Sequence, residues 1–416
     1  MLNPIPTWLR AVLAALVVIA WLYCAVALRD AGPYLGFAIA GMFAIHLRSK
    51  PSWPELGWTL FAALGALSAG AIATGKTPPW SIVLVLSALG LASFLVVALR
   101  AAWSEGDARK QRLALLAPGL VLVFFVLSVA HALNVADLLH PQTLDLYLYK
   151  FDASLGFDPA FAAGALFRRS PLLAGVGLLV YLSLPLAIGI VYAGNIQPRA
   201  TRPNWFVLEV TILTGLMGWA LYMVFPGTGP MFVFGPRYPF QPLAHEIAQH
   251  LRLEWIAVAP NAPRNAMPSL HMAWVLLVWW NSLSFPRWAR ILALLYVAGT
   301  VFSTLGLGEH YLVDLVVAFP FALSAEALAM HRVPWRRTER HGAFTVGLLM
   351  TFAWFGLLRF GDRTFWISPA IPWILIVLTI GTCMFLVQRL LAAADELAPP
   401  APADLPDSKL AQPVPS

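Results

Sequence analysis

The sequence predicts an all-α, polytopic integral membrane protein with about twelve transmembrane helices, and three observations carry that prediction. The 416-residue chain is 60% apolar and only 11% charged, with a mean hydropathy of +0.74, whereas soluble globular proteins carry roughly 25% charged residues. Its apolar residues fall into recurrent runs of about 20, the length that crosses a bilayer as a helix. The alternating ten-residue segments of a membrane β-barrel, the other way to satisfy a backbone in lipid, do not occur. A soluble protein is excluded.

The first apolar run, Trp8 to Leu28, is longer than a signal-peptide core and lacks a small-residue cleavage site, so it reads as the first span. Further runs lie near 31–47, 56–74, 79–99, 113–133, 172–193, 205–225, 268–284, 288–307, 310–331, 343–358 and 369–391, the second and eighth being the shortest. The last segment, 392–416, is rich in Ala, Pro and Asp without apolar periodicity and is expected to be a disordered tail. Cys24 and Cys383 both sit inside apolar runs and form no CxxC or metal spacing.

Net charge is +7, from 27 Lys and Arg against 20 Asp and Glu. The basic residues are scattered in short segments between apolar runs, so they orient the chain in the membrane and do not make a nucleic-acid surface. With the N-terminus inside, seventeen of the 27 fall on the cytoplasmic side, among them Arg48, Arg100, Arg109, Arg112, Arg199, Arg202, Arg287, Arg336, Arg389 and Lys409. Both termini are therefore expected in the cytoplasm. Two long non-cytoplasmic segments, 134–171 and 226–267, are of the length that carries function in compact proteins.

The strongest chemical signal is a pair of elements. NAMPSLHMAW places His271 at the head of the eighth span, and STLGLGEHYLVDLVV places His310 and Asp314 at the head of the tenth. One crossing in and one crossing back fit between the two histidines, so both lie at the same membrane face. His310 and Asp314 are four residues apart and share a helix side. A carboxylate that accepts one ring N–H fixes the tautomer and leaves the other nitrogen free as a nucleophile or base. His271 then supplies a proton to a departing oxygen. The helix start at Pro268-Ser269 aims backbone N–H groups at the same place and suits an anion such as phosphate.

These residues resemble the type 2 phosphatidic acid phosphatase superfamily. Pro-Ser-x-His and His-x-x-x-Asp match its second and third motifs, and the wording MPSLH with GEHYLVD is most similar to its inositol-phosphorylceramide synthase and inositol phosphotransferase branch. The resemblance implies a six-helix lipid-phosphatase-like core over 113–331, preceded by a four-helix extension, 1–112, and followed by two helices, 332–391. It implies that His310 attacks phosphorus to give a phosphohistidine, that Asp314 orients it, and that His271 protonates the leaving group.

Two departures accompany the match. The phosphatases carry Ser-Arg seven and six residues before the nucleophile, where this chain has Ser303-Thr304. The first phosphatase motif is missing in recognisable form, since Arg202-Pro203 falls on the opposite membrane side. Phosphate positioning is then expected from Arg237 in GPRYP or Arg264 in APRNAMPSLH, because a guanidinium suits bidentate phosphate contact. Ser269 is either a helix cap or a phosphate contact. Glu309 reads as a solvated neighbour whose charge raises the affinity of His310 for a proton. Tyr311 reads as an interface anchor, and Trp279-Trp280 as lipid-facing or packing residues. Asp145, Lys150, Asp152 and Asp158 read as part of an amphipathic interfacial helix, with a substrate lid as the alternative.

The expected function is a lipid phosphatase or phosphotransferase in the plasma (inner) membrane. Its site faces the non-cytoplasmic side, and its substrates are a lipid-linked phosphate and a water or alcohol acceptor. No cofactor and no metal is implied, because arginines and helix N-termini can meet the phosphate charge. Two competitors remain: a metal-dependent membrane hydrolase, since two His and one Asp also make a zinc site, and a proton-coupled transporter that uses the same residues as a relay.

Overall fold

A computed structural model describes residues 6–28, 32–74, 81–196 and 203–397. The segment from 398 onward, Arg199, Arg202 and Lys409 lie outside the described residues.

The N-terminal part runs through α1 (Thr7–Ala27), α2 (Pro33–Arg48), α3 (Trp53–Thr74), α4 (Ile82–Trp103) and the long α5 (Gly106–Leu139). A two-residue strand, β1 (Gln142–Thr143), leads into α6 (Asp145–Ala153), α7 (Pro159–Arg169), α8 (Pro171–Leu182), α9 (Leu184–Asn195) and α10 (Phe206–Val224). A long loop follows with α11 (Pro230–Phe234), a 3-10 turn at Gly235–Arg237, α12 (His245–Gln249) and β2 (Ile256–Ala257). The chain closes with α13 (Leu270–Trp280), α14 (Arg287–Leu307), α15 (Leu312–Ala329), α16 (Thr338–Phe360) and α17 (Ala370–Glu396). β1 and β2 pair antiparallel, Gln142 opposite Ala257, and tie the two long loops together.

The protein is a helical, multi-pass membrane protein. Among the described residues nine helices are long and apolar enough to cross a membrane: α1, α3, α4, α5, α10, α14, α15, α16 and α17. The count is ten if α7 and α8, bent by 120°, form one broken span. The sequence leads to twelve, and the difference has physical causes. Helix α2 has 16 residues and α13 only 11; at 1.5 Å per residue the latter reaches about 16 Å of a roughly 30 Å hydrocarbon layer. The expected span at 172–193 breaks at Ser183, just before Pro185, which has no N–H for the helix ladder. The last helix runs on to Glu396, past the expected boundary at 391.

Helix α15 is the axis of the molecule, with almost every residue from Val313 to Ala329 buried, the ionisable Glu326 included. The main core gathers around it and reaches into the N-terminal extension through Ala38, Met42 and Ile45 of α2. Helices α1, α3 and α4 share a smaller core of their own, built on Ala25, Ala62, Ala66, Ala88 and Leu91. Their outer faces, such as Leu16, Ile19, Phe61 and Leu64, stay exposed, as lipid-facing apolar surface requires.

Helix α6 corrects an expectation. It is not an interfacial amphipathic helix, because Asp145, Lys150 and Asp152 are all buried. Asp145 accepts the Thr228 and Gly229 N–H groups at 3.1 and 2.9 Å. Lys150 pairs with Asp362 at 2.8 Å. Buried charges persist only where they are paired or hydrogen-bonded, and here the chain returns from distant loops to do it.

Candidate active site

Helix α14 ends at Gly308, which adopts a left-handed conformation (φ 76°) and donates its N–H to the Leu305 carbonyl at 3.0 Å. This is the glycine stop that satisfies terminal carbonyls of a helix. A side chain at Gly308 would also strike Met231 and the Tyr238 ring at 2.8 Å. Tyr238 itself donates its hydroxyl proton to the Leu305 carbonyl at 2.8 Å, so the loop after α10 is pinned against this stop.

Two residues later the chain presents His310 and enters α15. Asp152 of α6 accepts the Leu312 and Val313 N–H groups at 2.7 and 3.2 Å, supplying the acceptors that the first turn of a helix lacks. Asp314 accepts the Tyr311 N–H through Oδ2 at 2.8 Å. His310 is thus fixed from both flanks.

The His310 ring is buried and held between two side chains. Its Nδ1 faces Asp314 Oδ2 at 3.4 Å, longer than a formed hydrogen bond. Its Nε2 lies 3.1 Å from Ser269 Oγ. Ser269 caps α13, accepting the Met272 N–H at 3.3 Å, and donates its own N–H to the Asp314 carbonyl at 3.2 Å. The heads of α13 and α15 are therefore joined directly. Burial pushes the His310 imidazole down to about 4, and the neighbouring Glu309 carboxyl acts in the opposite direction. Glu309 is half-buried, and burial raises its own pKa.

His271 follows Ser269 on the first turn of α13. Its ring stacks on Tyr181 of α8 at 4.0 Å between centroids and 13° between planes. Its Nε2 meets the Tyr34 hydroxyl of α2 at 2.9 Å. His271, His310, Asp314 and Ser269 therefore converge at one end of the bundle.

The two candidate arginines differ. Arg264 is buried, with Nε donating to the His140 carbonyl at 2.8 Å and Nη1 to those of Ala259, at 3.0 Å, and Ala262. Its backbone N–H donates to Asp137 at 2.9 Å. That guanidinium organises the loop around itself. Arg237 is exposed in the 3-10 turn beside Tyr238. Ser303 and Thr304 turn their hydroxyls onto the Thr300 carbonyl inside α14, at 3.1 and 2.8 Å. Tyr311 is a buried residue at the start of α15, not an interface anchor, and Trp280 is packed in the core.

Sequence reasoning missed Tyr34 and Tyr181, and it read Asp152 as part of an interfacial helix or lid and not as the cap of α15. An acid that caps a helix 160 residues away carries no local signal, and a tyrosine near a membrane helix end is indistinguishable from an interfacial anchor.

Residues 146–328 match the family model described as PAP2 superfamily, the superfamily that the MPSLH and GEHYLVD elements resemble. The match runs from α6 to the end of α15 and leaves α1 to α5 outside it. No curated protein and no solved structure matches the chain.

Proposed function

We propose that the protein is a membrane-embedded lipid phosphatase or phosphotransferase that carries the phosphoryl group of a lipid-linked phosphate on His310. The observation that supports this most is the setting of His310. One ring nitrogen faces a buried carboxylate, and the other faces the capped N-terminus of α13, where backbone N–H groups suit a phosphate.

The Nε2 lone pair of His310 forms the N–P bond as the bond from phosphorus to the leaving oxygen breaks. His271 gives that oxygen its proton. Water or an alcohol then attacks phosphorus, the N–P bond breaks, and the acceptor's proton returns to His271. Ser269 Oγ, which now occupies Nε2, yields its place to the phosphate. Asp314 supports the positive charge that develops on the ring, and Arg237, exposed where Arg264 is tied to loop carbonyls, is the arginine taken to meet the phosphate oxygens. The motif wording favours an alcohol acceptor, as in the inositol phosphotransferase branch.

In this reading residues 113–331 form the catalytic core, 1–112 the extension and 332–391 the closing helices. The short helices α2 and α13 and the broken α8–α9 complete a twelve-pass arrangement in the plasma (inner) membrane, with the site on the non-cytoplasmic face. A cysteine placed in 226–267 is then labelled by an impermeant thiol reagent on intact cells.

Among the described residues no group of three or more His, Cys, Asp or Glu side chains is arranged to hold a metal ion, and sensitivity to chelators distinguishes the metal-hydrolase reading. The test is purified protein in nanodiscs with a panel of lipid phosphates, with and without alcohol acceptors. The expected result is phosphate release or transfer that resists chelators, is blocked by vanadate, and is absent in His310→Ala. Activity that chelators abolish and His310→Ala retains would overturn the proposal.

A further inference from the structure

The N-terminal extension reaches the candidate site at the head of α2. Helix α2 lies between α4 and α9. At its crossing with α9 two glycines meet: a methyl group at Gly189 would lie 2.7 Å from the Gly41 Cα. Only residues without side chains permit that approach. The crossing fixes α2 against the core, and one face of it, Ala38, Met42 and Ile45, is buried there.

Two turns before Gly41, Tyr34 places its hydroxyl 2.9 Å from His271 Nε2. Its ring meets Tyr181 edge-on at 5.9 Å and 65°, while Tyr181 stacks on the imidazole. The His271 ring is therefore held in plane by one tyrosine and at one nitrogen by the other. A tyrosine hydroxyl can donate to a neutral imidazole nitrogen and accept from a protonated one. The contact survives both charge states of the histidine. When the Tyr34 hydroxyl donates to Nε2, the proton of the neutral ring resides on Nδ1.

We propose that Tyr34 is a positioning residue for the proton-donating His271, so that the N-terminal extension completes the active site and is not an appended membrane anchor. The proposal rests on the reading of His271 as the general acid. Tyr34 sets which ring nitrogen carries the deliverable proton and keeps it aimed at the leaving oxygen.

The test compares wild type, Tyr34→Phe, His271→Ala and the double variant on two substrates, an alkyl phosphate whose leaving oxygen needs a proton and an aryl phosphate whose leaving oxygen does not. Tyr34→Phe keeps the ring and its edge contact with Tyr181 and removes only the hydroxyl. Loss of a hydrogen bond to a group that becomes charged corresponds to about 10- to 100-fold, expected in kcat for the alkyl phosphate with KM unchanged. On the aryl phosphate the loss should shrink to within about twofold, and the double variant should be no slower than His271→Ala, since coupled groups are not additive. Equal losses on both substrates, or additive losses in the double variant, would reduce Tyr34 to a packing residue and overturn the inference. If His271→Ala is impaired and Tyr34→Phe matches wild type, the inference alone fails. If His271→Ala is unimpaired, the general-acid reading fails first.

A second readout needs no turnover. In protein labelled with 15N-histidine, Tyr34→Phe should shift the His271 Nε2 resonance and the tautomer balance. An unchanged spectrum contradicts the proposal.

Discussion

Asp145 and Asp152 of α6 and Asp314 of α15 are all buried carboxylates, yet the two helices use them differently. On α6 the oxygens are taken by peptide groups: Asp145 by Thr228 and Gly229, Asp152 by Leu312 and Val313. On α15 one oxygen of Asp314 accepts the Tyr311 N–H and faces His310 Nδ1, and the other, Oδ1, has no hydrogen-bond partner among the described residues. A buried acid saturated by backbone N–H groups fixes the chain. A buried acid with an open oxygen beside an imidazole is a polar exception of the kind found where protons move. Charge and burial alone do not separate the two cases; the partners do.

The largest expected effect falls on the α15 side. His310→Ala should abolish turnover in a protein that still inserts, because the proposed N–P bond forms on its Nε2. Asp314→Asn keeps the shape and loses the charge, and should cost on the order of a hundredfold or more in kcat, by analogy with other carboxylate–histidine pairs. Its melting temperature should change little.

Asp152→Ala should reverse that pattern. Two N–H groups at the head of α15 lose their acceptor, each a desolvation cost of about 1–3 kcal/mol, so the melting temperature falls while activity per folded molecule is largely kept. A thermal melt beside a kcat measurement on the same preparation separates the two acids. If Asp152→Ala is as stable as wild type and as slow as Asp314→Asn, the contrast between the helices collapses.

The arginines extend the contrast. Arg264→Ala strips three loop carbonyls of their donor and should lower stability, whereas Arg237→Ala should leave stability alone and raise KM by about tenfold, as expected for one lost charged contact. Equal KM effects in the two variants would return Arg264 to the phosphate.

The smallest effect concerns Glu309. Burial holds the His310 pKa near 4 while the Glu309 carboxyl pulls it upward. The nucleophile must be unprotonated, so activity is lost as pH falls through that value. Glu309→Gln removes the upward pull, and the acid limb of kcat/KM should move to lower pH. A shift to higher pH would contradict the geometry.

Much of the candidate site was legible in the sequence because its residues lie in two short elements. MPSLH and GEHYLVD place Ser269, His271, His310 and Asp314, and the structure brings them together. The span count was less legible. Apolar composition does not show that α13 stops after 11 residues or that the chain breaks at Ser183. Helix α6 misled for a related reason: alternating Asp, Lys and Asp read as a solvated face until the loops that bury them are placed. Tyr34 lies 237 residues from the histidine it contacts, and they become neighbours through packing such as that of Gly41 on Gly189.

The central claim is that His310 carries the phosphoryl group. The direct measurement is rapid quenching of the protein with a 32P-labelled substrate while the acceptor step is slowed, followed by peptide mass spectrometry. The account predicts an acid-labile, base-stable phosphate on the peptide containing His310, formed and consumed at catalytically competent rates, and slowed by about 10²–10⁴-fold in its formation by His271→Ala. Active protein that turns over substrate with no phosphate on His310 at any time point would contradict it.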